Sequence, residues 1–239
     1  MADHAIVFDI WGKYAHFKKI YVTTSALSYA IPFKTSIYGI VGAILGFENS
    51  GNSYLNQFQQ EVCQIGIQII NPIRFQRINI NLSPTPGPIK DNRKPTLMEF
   101  VTEPHYRIYF HHTDETLMTN LKGALKKKQS VYTPVLGLAN CLANFNFIGE
   151  GQLNHGTGEV IVHTVIPKSD LVSFDQDFWV KNSIHIQEQD MYPLEMNVQR
   201  EVTKRESILF DLNGKPTKVV SKNHYELNLN GNSIGIMMM

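Results

Sequence analysis

The side chains best equipped for chemistry in this sequence come as rings interleaved with cations: Tyr14, His16, Phe17, Lys18, Lys19 and Tyr21. Aromatic faces stack on unpaired bases and ammonium groups take phosphates, so such a run suits single-stranded nucleic acid. The same residues also fit a plainer arrangement, with Phe17 and Tyr21 in the core and the lysines solvated. A second basic stretch, residues 74–94, sets Arg74, Arg77, Lys90, Arg93 and Lys94 against Asp91 alone, around Pro84, Pro86 and Pro88. Prolines exclude that tip from a central strand, so a projecting loop or hairpin carrying five cations is expected. Lys126 to Lys128 say less, because a helix C-terminus attracts cations anyway.

The nine histidines invite a catalytic or metal reading. His111 and His112 adjoin at a strand end, where side chains point to opposite faces, a poor arrangement for joint ligation. His155 and His163 stand apart, without an HxH, HExxH or cysteine partner. No metal, cofactor or catalytic constellation is therefore expected. GxSxG, P-loop and dinucleotide patterns are missing, and Gly39-Ile-Val-Gly42 lies inside an apolar helix rather than between a strand and a helix start. Cys63 and Cys141 are solitary, which fits a reducing cytoplasm. No signal peptide and no run of about 20 apolar residues is seen, so the expectation is a soluble intracellular protein without a membrane role.

The net charge is only +1 over 239 residues, but its distribution is uneven. Residues 1–169 carry 15 Lys/Arg against 11 Asp/Glu, and residues 170–239 carry 7 against 10. A basic front and an acidic back suit a subunit with a polyanion on one side and a protein on the other; ordinary charge scatter is the alternative.

The elements that must position these groups follow from periodicity. Ile6, Phe8 and Ile10 alternate with Val7 and Asp9, giving a mostly buried strand that ends near Trp11. Pro32 with Thr35 and Ser36 supplies a helix start, with a hydroxyl accepting from an orphan N–H. Ile37, Ile40, Val41, Ile44 and Leu45 make the apolar stripe. Gly39 and Gly42 inside it each cost up to about 1 kcal/mol against alanine, which implies close approach of another backbone, protein or polynucleotide. Leu55, Phe58 and Val62 repeat at helical spacing, and Ile65, Ile67 and Ile69 alternate as a strand. Ile73 to Leu82 keeps strand composition before the proline-rich tip. Tyr106, Ile108 and Phe110 mark another strand, and Asp114-Glu115 opens a helix closed by Lys126 to Lys128. Ala139 to Ala143 is expected as a short helix and Asn144 to Ile148 as a strand. The order strand, helix, strand, projection, strand, helix, strand is that of an α+β, ferredoxin-like βαββαβ core with an insertion between its second and third strands. From about Gly151 the chain reads as β-rich. Strands are expected at Glu159 to Ile166 and at Tyr225 to Leu229, with a hairpin turning at Asn213-Gly214. Ile234 to Met239 carries no structural signal. The expected organisation is residues 1–150 as the core, with the insertion at about 72–102, and 151–239 as a β-rich region packed on it.

Four segments occur in order: Gly12-x-Tyr-Ala-x-Phe-Lys18, Pro32 to Gly46, Glu99-Phe-x5-Tyr106-Arg-Ile-Tyr109, and Tyr132-Thr-Pro-Val-Leu-Gly-Leu138. Together they resemble the Cas-five family of CRISPR-associated proteins, a RAMP-type subunit of type I surveillance complexes (Cascade), in the form most similar to subtype I-B. The resemblance covers most of residues 4–150. It implies a ferredoxin-like core with a thumb hairpin, here the basic projection. It also implies a non-catalytic, cytoplasmic RNA-binding role in antiviral defence, gripping the 5′ handle of the CRISPR RNA. The implied protein partners are the Cas-seven backbone subunit and the large subunit, with target DNA near the protospacer-adjacent motif met only through the complex. RNA contacts are then expected at Tyr14, His16, Lys18, Lys19, Lys34, Ser36, Tyr38, Gly39, Arg74, Arg77, Lys90, Arg93, Lys94, Arg107, His112 and Tyr132. One branch, in subtype I-C, cuts precursor CRISPR RNA without metal, using Tyr, Lys and His. Aligned on Gly-Ala-Ile-Leu-Gly46, its tyrosine position falls at about Leu45. The Lys-His pair has no clear counterpart near Asp114-Glu115, although His111 and His112 lie close by. A metal-independent endoribonuclease is thus the runner-up, and a protein-only scaffold the third reading.

Overall fold

Strand β1 (His4–Trp11) is the centre of the architecture because its neighbours on both sides are antiparallel strands from far along the chain. The computed structural model describes residues 4–19, 26–59, 61–82, 94–229 and 231–239. Three two-residue strands follow β1: β2 (Tyr14–Ala15), β3 (Phe17–Lys18) and β4 (Ser28–Tyr29). Helix α1 (Lys34–Leu45) and a kinked 3₁₀ segment (Ser50–Phe58) lead to β5 (Cys63–Ile69). Strands β6 (Phe75–Leu82) and β7 (Lys94–Thr102) pair as the arms of an antiparallel hairpin. Then come β8 (His105–His112), α2 (Glu115–Lys127) and β9 (Asn144–Val162), which at 19 residues is the longest of the described strands. The remainder comprises β10 (Ile166–Pro167), β11 (Leu171–Phe174), α3 (Gln176–Asn182), β12 (Ile186–Met196), β13 (Val202–Asp211), β14 (Thr217–Leu229) and β15 (Asn232–Ile236).

The protein is thus mixed α+β, rich in sheet and poor in helix. The large sheet has the order β11-β14-β15-β9-β1-β8-β5. Within it, β9, β1, β8 and β5 each run antiparallel to the neighbouring strand. Alternation divides the two faces of β1. Ile6, Phe8 and Ile10 join the core formed with Ile37, Val41 and Ile44 of α1 and Leu117, Leu121 and Leu125 of α2. Ala5 and Val7 instead meet Leu227, Leu229 and Ile236 of the C-terminal strands. Asp114 caps α2 as its type predicts, its side chain accepting from the Thr116 and Leu117 N–H groups at 2.8 and 3.2 Å.

Several expectations are corrected. The cap of α1 is Phe33, with no side-chain bond, so neither Thr35 nor Ser36 serves as cap. Residues 139–143 form a turn closed by a Val135–Leu142 bridge, not a helix. The segments expected as strands at 144–148 and 159–166 are parts of one continuous strand, β9, and β10. Strand β9 pairs its first half with β1 and its second with β14, and it passes through residue 150 without a break. Asn213-Gly214 does not close a hairpin: β13 pairs with β10 and β12, while β14 pairs with β9, β11 and β15. The turn is held by Asp211, whose carboxylate accepts from the Asn213 N–H at 2.7 Å, and it carries the chain from one sheet to the other. The tail expected to be featureless contributes β15, and Met239 then exchanges two backbone bonds with Ile65, at 2.9 and 3.0 Å, along the edge of β5. No described helix is long and apolar enough to cross a membrane.

Candidate nucleic-acid interface

The candidate site is a groove along the half-buried side of α1, built by three segments converging on one helix. Residues 131–132 bond to its last turn: Val131 N–H donates to Ile44 O at 3.2 Å and Tyr132 N–H to Ala43 O at 2.9 Å. Gly46 ends the helix in the left-handed region at φ +81, its N–H returning to Gly42 O. The 3₁₀ segment brings Tyr54 alongside, and Asn52 of that segment donates to Val198 O while accepting from the Arg200 guanidinium at 2.8 Å. At the other end, the Tyr192 hydroxyl of β12 donates to Pro32 O at 2.6 Å and so fixes where the chain enters α1. Two adjoining hollows result, of about 410 and 380 Å³, sharing Gly39, Ala43 and Tyr54. The first is lined also by Gly42, Phe47, Asn49 and Tyr132, the second by Phe33, Thr35, Ser36, Thr133, Met196 and Arg200 among others.

Beneath the groove lies a buried charge pair. Lys34 is fully buried, and its Nζ donates to Glu195 Oε1 at 2.9 Å. The Tyr38 hydroxyl reaches the same oxygen at 3.4 Å. Burial pulls the Lys34 ammonium below its ordinary value against the opposing pull of Glu195, and pushes the Tyr38 phenol far above its own. Burial likewise pushes the neighbouring Cys63 thiol up to about 12, leaving it an unreactive core group.

The residues expected to meet RNA therefore divide. Ser36, Gly39 and Tyr132 line the groove, Tyr132 being 51 % exposed. A second set gathers at the root of the β6–β7 hairpin. Tyr14 donates to Gln76 Oε1 at 3.4 Å, Lys18 and Arg74 are exposed, and Arg77 pairs with Glu99 at 3.2 Å. Lys19 holds its Nζ 5.5 Å from the Tyr29 ring centre. Lys90 and Arg93 lie outside the described residues, as does the side chain of Lys94. Lys34 and Tyr38 are corrected from RNA contacts to core residues, since both are buried and committed to Glu195. His16 is buried against Phe100, its Nδ1 2.7 Å from Glu99 O. His112 is buried too, with both ring nitrogens engaged, by Gln57 O and by the Asp114 N–H. Arg107 belongs to the opposite face of the sheet, where its guanidinium clasps Asp9 at 2.8 and 3.1 Å; the hydrogen bond to Asp9 raises its pKa.

The four segments singled out in the sequence meet here. Gly137 packs where a Cβ would fall on the His16 carbonyl, and His16 N–H bonds to Leu136 O at 3.0 Å, so the 132–138 loop lies against residues 12–17. A family model described as CRISPR-associated protein (Cas_Cas5) matches residues 5–208. The chain belongs to the Cas5 family. Among solved structures, this Cas5 chain is similar to a CRISPR protein from Archaeoglobus fulgidus. That likeness has 11% identity and a TM-score of 0.57, over 97% of this chain and 98% of the other. A structure described as a Cas protein matches at 10% identity and TM-score 0.50, over 88% and 95% of the two chains. A chain of a CRISPR RNA-guided surveillance complex aligns at 11% identity and TM-score 0.49, over 90% and 91%. For the first two, at these identities, the likeness is one of fold. No curated protein matches the sequence.

Sequence reading missed Asn49, Tyr54, Thr133 and Arg200 in the groove, which no spacing pattern marks. It also missed the role of Lys34, for which a signal existed: Lys34, Ile37, Val41 and Ile44 fall at helical spacing, which puts the lysine on the apolar stripe.

Proposed function

We propose that this Cas5 chain is a non-catalytic subunit of a type I CRISPR surveillance complex that grips the 5′ handle of the CRISPR RNA. On this reading β1, α1, β5, β8, α2 and β9 are a ferredoxin-like core, the β6–β7 hairpin is its thumb, and the subtype is I-B. The neighbours are the Cas-seven backbone subunit and the large subunit, in the cytoplasm, with target DNA approached only through them. The observation that carries the reading is the groove over α1, which in a Cas5 chain joins hydroxyls, an arginine, the exposed Tyr132 ring and the half-buried rings of Phe47 and Tyr54, with no described side chain filling it. Base pairing would read the target, while this subunit reads the shape and backbone of the RNA end.

The absence of catalysis is proposed on side-chain chemistry. Metal-free cleavage needs a base and an acid at the 2′-OH and the leaving oxygen. Leu45, at the position of the nuclease branch's tyrosine, lines a cleft of about 860 Å³ with Asp114 and Lys127 and brings no titratable group. His112 has no free nitrogen.

The test is binding of labelled CRISPR RNA, with and without its 5′ handle, to the assembled complex and to this chain across a salt series. The expected result is handle-dependent affinity with log K falling by about 0.7 per phosphate contact for each decade of salt. Affinity indifferent to both handle and salt would replace this reading with the protein-only scaffold. Cutting of repeat RNA in EDTA that disappears in His112→Ala would replace it with the endoribonuclease.

A further inference from the structure

Two glycines three residues apart inside α1 line one hollow, Gly39 partly exposed and Gly42 buried beneath the rings of Tyr54 and Phe47. Among the described residues, a Cβ at Gly39 would meet nothing within 4 Å, and one at Gly42 would make only ordinary contact with Tyr54 and Phe47, at 3.7 and 3.8 Å. Neither glycine has positive φ. Helix propensity favours alanine at both positions, and neither backbone conformation nor a clash with any described residue requires glycine there. Above them lies the hollow of about 410 Å³, walled by the rings of Phe47, Tyr54 and Tyr132, with Asn49 at its lining. That volume is in the range of small-ligand sites.

The geometry points to a pocket for one unstacked nucleobase of single-stranded RNA, seated on the Gly39–Gly42 floor. A helix face of two glycines and Ala43 lets a flat ring approach the backbone, and the tyrosine rings offer π-faces of the kind that hold splayed bases. The Asn49 carboxamide presents both a donor and an acceptor, as a base edge requires. In the adjoining hollow, Ser36, Thr133 and Arg200 are groups that take ribose and phosphate. This inference rests on the RNA-binding reading and adds to it which stretch of surface holds a base and by what contacts.

The test uses short single-stranded RNAs carrying 2-aminopurine at one position at a time, titrated into the full chain and into the complex. The expected result is fluorescence quenching confined to one position, lost in Gly39→Leu and in Tyr132→Ala. Affinity should fall roughly five- to a hundredfold in each, the span of one stacked base. Gly39→Leu fills open space, so its melting temperature stays at or above that of the parent, which separates a blocked pocket from a damaged fold. Parent-like affinity and quenching in both variants would overturn the pocket and leave the RNA-binding reading standing. If the parent binds none of these RNAs, alone or in the complex, both fall together. Displacement of the quenched RNA by an aromatic-tipped peptide but not by free nucleoside monophosphates would assign the pocket to a protein partner and overturn the inference.

Discussion

Replacing Lys34 by methionine separates the two roles a lysine at the start of α1 can have. The side chain is fully buried and Glu195, its partner at 2.9 Å, is itself only 15% exposed. Methionine keeps the stem volume but takes the buried ammonium away from the carboxylate, to which the Tyr38 hydroxyl still donates. Breaking one side of such a pair costs about 3–5 kcal/mol. For a chain of this size each kcal/mol moves the melting temperature by about 2–4 °C, so a drop of roughly 6–20 °C is expected. Adding Glu195→Gln removes the stranded charge while retaining an acceptor for Tyr38, and should recover most of the loss. Thermal melts and denaturant midpoints of the two single variants and the double close the cycle. A Lys34→Met melt within about 2 °C of the parent, with RNA affinity reduced, would refute the reasoning and return Lys34 to the nucleic-acid surface. A double variant weaker than Lys34→Met would refute the stranded-charge argument.

Two further outcomes follow from local geometry. Gly137→Ala should destabilise by at least about 1–3 kcal/mol. Its φ of +94 disfavours a side chain and the new Cβ falls on the His16 carbonyl, so a melt unchanged from the parent would mean that the 132–138 loop does not pack as described. Stability should also fall as the pH is lowered below 6.5, the ordinary histidine value. Burial holds His163 and His224 below that value, so the unfolded chain binds more protons there than the folded one. Their stabilisation is complete above 6.5 and declines on acidification. Melting temperature against pH should show this slope, and His163→Gln should flatten it; an identical profile for the variant would remove His163 from the account.

The elements of the first 130 residues were legible wherever one face is buried against the other. The alternation in β1, β5 and β8 and the apolar stripe of α2 predict their positions closely, because burial imposes the period. The first arm of the hairpin was legible from strand composition and the prolines after it, whereas β7 was not singled out as a strand. What failed to show was pairing. Asn213-Gly214 has hairpin chemistry, yet its flanking strands enter different sheets, a choice made by partners remote in sequence. The site was half legible for a similar reason. Ser36, Gly39 and Tyr132 announce themselves through glycine spacing and the family's segments. Tyr54 and Arg200 reach the groove only because Asn52 ties two distant loops together. The cations near α1 were over-read: a lysine on an apolar stripe belongs inside, and a histidine following Phe110 at the same alternation belongs there too.

The central position of β1 bears on how the chain becomes folded at all. Made before either of its partners, it presents Ala5 to Ile10 as a continuous buried run. Its nearest partner begins only at His105 and its other at Asn144. Contacts of such separation must wait for loop closure, which slows folding. During synthesis a mostly apolar strand therefore stays without these partners until His105 and the residues after it have been made, the condition under which nascent proteins aggregate or engage chaperones. Yield in cells should accordingly depend on elongation rate and chaperone supply more than the melting temperature of the finished molecule would suggest.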